Sequence, residues 1–329
     1  MRASKLREAA DFIRERDDFL VVSHVQPDGD AISSTVVTGW LLGKLGKTYA
    51  MLNEGPVPSR LRFLWNSAEI MTLEGREDEA PPRQYRNVIC VDCADYARTG
   101  RTSRWFAPDA ELLNVDHHPT NDGFGLVNLM RFDAAATAEI LFELLDELEL
   151  PLDADVATAI YTGLLTDTGG FRYSNTSPLV MAMASRLLEA GVDGPGLAEH
   201  LLERMSAGQL RLLQQGLSRL TFSDDGRIAW LWVTSEDLES SGAANEDLEG
   251  LVNYPRNVDG VEVGLLFKEN GRTSVKVSMR SAGKVNVAEV ARSFGGGGHV
   301  RAAGCRLTDP LAEAIGKVVA EVGKALGEG

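Results

Sequence analysis

Acidic and histidine side chains are concentrated in three short clusters of this chain. The first is Ser23-His24-Val25-Gln26-Pro27-Asp28-Gly29-Asp30, the second holds Asp92, and the third is Asp116-His117-His118. One more acid, Asp167, lies further along the chain. Three of the five histidines belong to these clusters. Carboxylates held close together repel one another, so a pair of divalent cations is the natural counter-charge. The clusters therefore predict a metal site.

Each cluster follows a short hydrophobic run that is typical of a buried strand. These runs, at 19–22, 88–91 and 112–115, are rich in β-branched residues, as in parallel sheets. Loops that leave the carboxyl ends of parallel strands share one edge, where ligands usually bind. We therefore expect six side chains to converge at this edge: His24, Asp28, Asp30, Asp92, Asp116 and His117.

Each cluster taken alone also has a structural interpretation. Asp30 could cap the helix that follows it, and His117-His118 could form a surface turn before Pro119. All the clusters together favour the metal site. Imidazole and carboxylate ligands without a thiolate suit manganese, magnesium or a similar ion.

The pattern of elements predicts two domains, which also suits a length of 329 residues. Strands and helices alternate over the first part, which indicates a doubly wound, mostly parallel α/β domain at 1–190. Helices at 191–220 are interpreted as a linker. Paired strands then predict a smaller α/β domain at 221–329, with Glu269-Asn270-Gly271 as a hairpin turn.

A run of four glycines near the C-terminus is a candidate phosphate site. Glycines let the backbone approach a ligand closely, and their N–H groups can bind phosphate. A flexible turn is the alternative, and for glycines alone it is favoured. The neighbouring cations favour the phosphate site, with these candidate residues: Ser278, Arg280, Gly296, Gly297, Gly298, His299 and Arg301.

The combined motifs resemble those of the DHH phosphoesterases. Asp116-His117-His118 corresponds to the triplet that names the family, and residues 295–304 (GGGGHVRAAG) resemble the signature of its DHH-associated C-terminal domain. The resemblance spans nearly the whole chain. In length and motif order the chain is most similar to nanoRNases, which also act as phosphatases on adenosine 3′,5′-bisphosphate.

The resemblance implies a two-metal site and a role for each residue. Relatives mostly use Mn²⁺, with Mg²⁺ and Co²⁺ as alternatives, to activate a hydroxide that attacks phosphorus. Asp116 would orient its neighbours, and His118 would contact the scissile phosphate or protonate the leaving group. The expected ligands are His24 and Asp28 for one ion, Asp30, His117 and Asp167 for the other, and Asp92 for both.

Composition restricts the partners and the location. A formal net charge of −15 argues against a grip on long duplex DNA, but short oligonucleotides or nucleoside phosphates remain compatible. Three cysteines cannot form a disulfide framework, and no apolar stretch is long enough to span a membrane. We expect a cytoplasmic enzyme without a membrane partner, and the sequence leaves a homodimer open.

Two classes of function fit these features. The first is a hydrolase: a nanoRNase and adenosine bisphosphate phosphatase leads, a cyclic- or linear-dinucleotide phosphodiesterase comes next, and a polyphosphate or pyrophosphate hydrolase follows. The second is a non-catalytic nucleotide sensor. Intact candidate ligands at every position favour the enzyme.

Overall fold

The computed structural model describes residues 2–76, 79–271 and 273–327. The chain divides into two units, Met1–Arg204 and Met205–Gly329, each with its own sheet and core. The division falls inside the predicted linker at 191–220. A mixed α/β fold with a parallel first sheet and a separate second sheet confirms the predicted fold class.

The sheet of the first unit has six parallel strands in the order β3-β2-β1-β4-β5-β6. This arrangement places β1 between β2 and β4, and β5 beside β4, so three predicted strands lie side by side. The strands are β1 Phe19–Val22, β2 Tyr49–Asn53, β3 Met71–Thr72, β4 Tyr85–Val91, β5 Phe106–Asp116 and β6 Val127–Met130.

The helices of the first unit bury a large apolar core against one face of this sheet. The second helix begins at Gly29. Its cap is Asp28 and not Asp30, because the Asp28 carboxylate accepts hydrogen bonds from the N–H groups of Asp30 and Ala31. The helices are α1 Arg2–Glu15, α2 Gly29–Lys44, α3 Thr137–Glu147, α4 Ala154–Asp167, α5 Pro178–Glu189 and α6 Gly194–Ala198.

Shorter helical segments complete the first unit. Three are 3₁₀ turns, and a π-helical turn continues α6. On the second face of the sheet, a smaller apolar cluster includes Cys90, Cys93 and Phe106. The segments are Ser59–Leu61, Ser67–Glu69, Tyr96–Trp105 and Glu199–Glu203.

The second unit contains a six-stranded sheet in the order β11-β12-β10-β9-β8-β7. All neighbours are antiparallel except β8 and β9, which are parallel. The expected hairpin joins β9 to β10, with Glu269 opposite Val275. The strands are β7 Thr221–Phe222, β8 Ile228–Val233, β9 Val263–Glu269, β10 Val275–Ser281, β11 Gly297–His299 and β12 Ala302–Leu307.

Helices cover both faces of the second sheet. One apolar cluster joins the sheet to α10 and α11, and another joins it to α7, α8 and the segment before β9. Among the described residues, no helix has the length and apolar character needed to cross a membrane. The helical elements are α7 Ala207–Leu217, α8 Ser235–Ser241, the 3₁₀ turn Asn245–Leu248, α9 Asn253–Arg256, α10 Val287–Arg292 and α11 Leu311–Gly327.

Candidate metal centre

The carboxyl ends of β1, β4 and β5 bring the three acid and histidine clusters to one edge of the first sheet. His24 follows β1 by two residues, Asp92 follows β4 directly, and Asp116 ends β5. Two helices supply the other acids, since Asp30 lies in the first turn of α2 and Asp167 is the last residue of α4. The side chains that the sequence predicted to converge do lie together here.

The first group of side chains contains His24, Asp28 and Asp92. His24 Nε2 lies 3.4 Å from Asp92 Oδ2 and 3.8 Å from Asp28 Oδ2. His24 and Asp92 are almost fully buried, whereas 48% of the Asp28 side chain is exposed. Asp28 therefore forms the open side of this group.

The second group is centred on the ring of His117. Its Nε2 lies 3.3 Å from Asp167 Oδ2, 3.6 Å from Asp92 Oδ1 and 3.9 Å from Asp30 Oδ2. Asp92 thus faces the first group with one carboxylate oxygen and the second group with the other. It is the residue that the two groups share.

These distances fit metal ligands better than hydrogen bonds. The five His-to-carboxylate separations exceed the usual range of about 2.7–3.2 Å for a hydrogen bond. Donor atoms that bind one divalent ion from about 2.1 Å are about 3–3.5 Å apart. The buried ring of His24 directs Nε2 at two carboxylates, whereas its Nδ1 has no hydrogen-bond partner among the described residues, so Nε2 is the ring atom placed to bind a metal. The donor set therefore fits divalent ions.

The pKa values show the charge imbalance of this centre. Burial lowers the pKa of His24, but the carboxylates of Asp28 and Asp92 outweigh it and raise that pKa to about 9. Burial, followed by repulsion from neighbouring carboxylates, raises the pKa of Asp30 and of Asp167 well above the ordinary value. For Asp92, burial raises the pKa, but His24 and the other histidines outweigh it and lower the pKa. Divalent cations would relieve this repulsion.

The backbone of Asp92 has an unusual conformation. Its φ angle of 58° lies in the left-handed region, which Asp and Asn tolerate better than most residues with a side chain. Its N–H still donates to the carbonyl oxygen of Val115, at 3.0 Å. This turn directs the carboxylate away from the strand and into the centre. A strained conformation at such a point is typical of functional sites.

Asp116 orients the ring of His118. Its Oδ1 lies 2.8 Å from His118 Nδ1, and its Oδ2 accepts hydrogen bonds from the His118 N–H at 3.1 Å and from Asn121 Nδ2 at 2.7 Å. Asp116 is fully buried. Because an ionised carboxylate can only accept, His118 carries its proton on Nδ1.

Two polar residues that contact this centre were not predicted from the sequence. Asn121 lies three residues after the third cluster, and its side-chain amide donates hydrogen bonds to Asp116 and to the carbonyl oxygen of Cys93. Thr137 begins α3, and its hydroxyl donates to Asp92. The closeness of Asn121 to the third cluster in sequence could have indicated that it contacts the centre. No local pattern marked Thr137.

Four further side chains that could bind a metal were not among the expected ligands. Asp95 caps the 3₁₀ segment after β4 by accepting from the Arg98 N–H. His200 Nε2 lies 2.8 Å from the carbonyl oxygen of Arg60. The thiols of Cys90 and Cys93 are free and buried, and burial raises the pKa of both. These contacts agree with structural roles.

The candidate phosphate residues of the second unit lie on its β10-β12-β11 edge. Arg280 and His299 both pair with Ala302, so they lie on one face of the sheet with a small residue between them. Ser278 lies on the same face, two residues along β10. Arg301 is instead exposed in the turn between β11 and β12. Ser278, Arg280 and His299 thus form a row on one face of the sheet, the candidate phosphate row. Arg301 lies outside it.

The glycine run follows the end of α10 and continues into β11. Gly298 has a φ of 142°, and a Cβ atom there would lie 2.5 Å from the carbonyl oxygen of Ala302. Strand pairing therefore accounts for glycine at this position. Gly296, Gly297 and Gly298 still present backbone beside His299, so phosphate binding by the run stays a prediction.

Two protein families match the chain, one within each of its two units. The family described as "DHH family, N-terminal domain" matches residues 18–164, and the "DHHA1 domain" matches residues 228–328. The chain is 35% identical over 305 residues to the "Bifunctional oligoribonuclease and PAP phosphatase NrnA" of Thermus thermophilus, covering 92% of this chain and 88% of that protein. The protein of the same name from Bacillus subtilis is 26% identical, covering 88% and 90% of the two chains.

Solved structures show the same fold. An "exopolyphosphatase-related protein" from Bacteroides fragilis superposes with a TM-score of 0.88 at 26% identity, covering 98% of this chain and 96% of the other. RecJ of Thermus thermophilus, solved in complex with Mn²⁺, has a TM-score of 0.55 at 14% identity, over 98% and 55% of the chains. The second likeness bears on the fold alone. Sequence and structure together show that this chain belongs to the DHH family of metal-dependent phosphoesterases, with an N-terminal DHH domain and a C-terminal DHHA1 domain.

Proposed function

We propose that this protein hydrolyses short oligonucleotides and adenosine 3′,5′-bisphosphate with the help of two divalent ions, preferentially Mn²⁺. The single observation that carries the proposal is the pair of ligand groups that share Asp92. The names of the relatives from Thermus thermophilus and Bacillus subtilis support both substrate classes.

The chain would hold the ions with six side chains. When bound, the ions would lower the pKa of water and neutralise charge on the phosphate under attack. The protein keeps the ligands in place by burying them and by spacing them at 3.3–3.9 Å around the two histidine Nε2 atoms. The proposed ligands are His24 and Asp28 on one side, Asp30, His117 and Asp167 on the other, and Asp92 between them.

His118 would act on the substrate through its Nε2 atom. Asp116 Oδ1 accepts from His118 Nδ1, 2.8 Å away, and this bond directs the ring and favours the tautomer with Nε2 deprotonated. In its protonated form, the ring can donate a proton from Nε2 to the leaving oxygen or hydrogen-bond the scissile phosphate. Asn121 supports this arrangement by donating to the second oxygen of Asp116.

The second unit would bind a phosphate or sugar beyond the scissile bond. Arg280 and His299 are cross-strand neighbours around Ala302, and Ser278 adds a hydroxyl on the same face. An arginine can bind two phosphate oxygens at once, which favours it for this role. Arg301 and the glycines 296–298 would contribute from the adjoining turn and strand.

Net charge and cysteine chemistry support a short substrate and a cytoplasmic location. The formal charge of −15 opposes a long, sequence-independent grip on nucleic acid, whereas a local cationic row can hold one or two phosphates. Cys90, Cys93 and Cys305 are free thiols, as expected in a reducing compartment. Within this proposal, residues 1–190 form the catalytic domain, 191–220 the linker and 221–329 the substrate-binding domain.

A hydrolysis panel tests the proposal. Metal-stripped protein is supplied with Mn²⁺ and incubated with RNAs of two to five nucleotides, adenosine 3′,5′-bisphosphate, cyclic dinucleotides and pyrophosphate. We expect the fastest release of product from the first two classes and none without metal. Faster cleavage of cyclic dinucleotides or pyrophosphate would replace the proposed substrates. Nucleotide binding without any cleavage would show a sensor instead.

A further inference from the structure

The first turn of α3 contacts two expected metal ligands that come from different elements. Thr137 donates its backbone N–H to Asp30 and its hydroxyl to Asp92. We infer that Thr137 is a positioning residue, which holds these two carboxylates in a fixed relation and thereby sets the affinity of the centre for divalent ions. The inference rests on the metal-binding part of the proposed function and does not depend on the substrate.

Asp30 is held through both of its carboxylate oxygens. Oδ2 accepts from the Thr137 N–H at 2.6 Å, and Oδ1 accepts from the Ala138 N–H at 3.0 Å. The neighbouring helix α4 packs closely against this contact, because a Cβ atom on Gly163 would lie 2.8 Å from Asp30 Oδ1 and 2.6 Å from Ala138 Cβ. Asp30 is therefore fixed at the start of α3.

Asp92 is held through the oxygen that faces the second ligand group. The Thr137 hydroxyl donates to Asp92 Oδ1 at 3.1 Å, and the same oxygen lies 3.6 Å from His117 Nε2. The left-handed backbone of Asp92 determines where its side chain begins, and the hydroxyl fixes how the carboxylate is turned. A donor at this position directs the remaining lone pairs towards the histidines.

The start of α3 is itself rigid. The Ala135 N–H donates to Glu139 at 2.7 Å, and Glu139 forms a buried ion pair with Arg131 at 3.0 Å. Arg131 also binds Glu143 at 2.6 Å. The carbonyl oxygen of Ala134 lies 3.3 Å from His117 Nδ1, so the same segment also contacts the central histidine. Breaking the buried ion pair between Arg131 and Glu139 would cost much stability. These contacts therefore anchor the segment that carries Thr137.

The hydroxyl of Thr137 differs from the other buried threonine hydroxyls near it. Thr35 and Thr162 donate to the carbonyl oxygen four residues earlier in their own helices, which is a local structural contact. Thr137 is the first residue of α3, and its hydroxyl instead reaches a carboxylate 45 residues away in sequence. This difference separates a positioning role from ordinary helix packing.

A pair of substitutions isolates the hydroxyl. Thr137→Ser and Thr137→Ala both remove the γ-methyl group, but only the serine keeps the donor. We expect Thr137→Ala to bind Mn²⁺ about ten- to a hundredfold more weakly than Thr137→Ser, the usual loss for a group that orients a metal ligand. The measurement is a calorimetric Mn²⁺ titration of metal-stripped full-length protein. Thr162→Ser and Thr162→Ala serve as the matched control pair, and we expect equal affinities within it.

Equal Mn²⁺ affinities for Thr137→Ser and Thr137→Ala would overturn the inference. So would a difference of the same size in the Thr162 pair, because it would indicate a general packing effect. If Thr137→Ala does not fold, as judged by circular dichroism, Thr137→Val provides the comparison with wild type, and unchanged affinity again overturns the role. A wild-type protein that binds Mn²⁺ but cleaves none of the panel substrates would reject the proposed function and leave the role of Thr137 standing.

Discussion

The candidate metal centre of the first unit and the candidate phosphate row of the second unit are built in contrasting ways. Asp30 and Asp116 have no exposed surface, and Asp92 is 2% exposed. In the second unit, Ser278, Arg280 and His299 are half-buried on a sheet edge, and the neighbouring Val300 is 52% exposed. The first region is mostly buried, with Asp28 on its one open side, and the second lies on an accessible sheet edge.

The contrast suits the role that we propose for each region. Metal ligands must be held at fixed distances, and buried hydrogen bonds from several elements hold them there. A surface that captures and releases a short phosphoester needs accessible cations and little steric obstruction. Substitutions in the first region should therefore impair turnover or metal binding, whereas those in the second should mainly impair substrate binding.

The strongest test of the contrast is Asp92→Asn, which keeps the shape and tolerates the left-handed backbone. We expect turnover to fall by at least about a thousandfold, because a shared charge is lost from the centre. Steady-state hydrolysis under controlled Mn²⁺ is the measurement. Asp95→Asn, which removes a carboxylate that caps a nearby turn, is the control and should keep its activity. Activity near wild type in Asp92→Asn would reject the shared-ligand arrangement.

A smaller effect is expected for Asp116→Asn. The amide cannot accept from His118 Nδ1, His118 N–H and Asn121 as the carboxylate does, so the His118 ring loses its orientation. We expect turnover to fall about a hundredfold while Mn²⁺ affinity changes little, since Asp116 is not a proposed ligand. Turnover and a metal titration are measured on the same preparation. A loss confined to metal binding would contradict the proposed role.

Arg280→Ala tests the open region. Removing one charged phosphate contact should raise KM about tenfold and leave turnover at saturation nearly unchanged. Arg292→Ala, which changes an exposed arginine at the end of α10, is the control. A fall in turnover as large as the rise in KM would place Arg280 in the chemical step. It would also remove the distinction between the two regions.

The smallest expected effect is a pH-dependent stabilisation by metal. Raised pKa values at His24, Asp30 and Asp167 mean that the metal-free folded protein binds protons more readily than the unfolded chain, so their contribution to stability falls as pH rises. For His24 this loss lies between its ordinary pKa of 6.5 and about 9. Mn²⁺ must displace these protons, so its stabilisation should grow in the same window.

Thermal melting at pH 6.5 and pH 8.5, with Mn²⁺ or with a chelator, measures this effect. Saturating metal should raise Tm by about 5–10 °C at the higher pH, and by less at the lower one. Asp92→Asn should lose most of the increase. An increase that is the same at both pH values would show that proton displacement does not accompany binding.

Local sequence patterns were sufficient to predict the framework of the first unit. Strand β1 and the central parts of β4 and β5 are mostly hydrophobic runs, and the candidate ligands lie at or just after the ends of these strands. Parallel strands place such residues at one edge whatever the details of packing. The cap of α2 was predicted less well: Asp28 and Asp30 both precede the apolar part of the helix, and the structure shows that Asp28 is the cap.

Other contacts could not be predicted because they join distant parts of the chain. Thr137 donates hydrogen bonds to Asp30, which is 107 residues away in sequence, and to Asp92, which is 45 residues away. The row formed by Arg280 and His299 depends on both strands pairing with Ala302, and no periodicity within either strand specifies that register.

The sequence by itself determined the candidate ligand side chains and the edge of the sheet that they occupy, because residue type and strand ends are local properties. Only the tertiary structure decided that Asp92 faces both histidine groups, that α3 holds Asp30 and Asp92 together, and that Arg301 lies outside the row of Arg280. These features depend on the packing of segments that are far apart in sequence, and packing at this scale is a property of the whole fold.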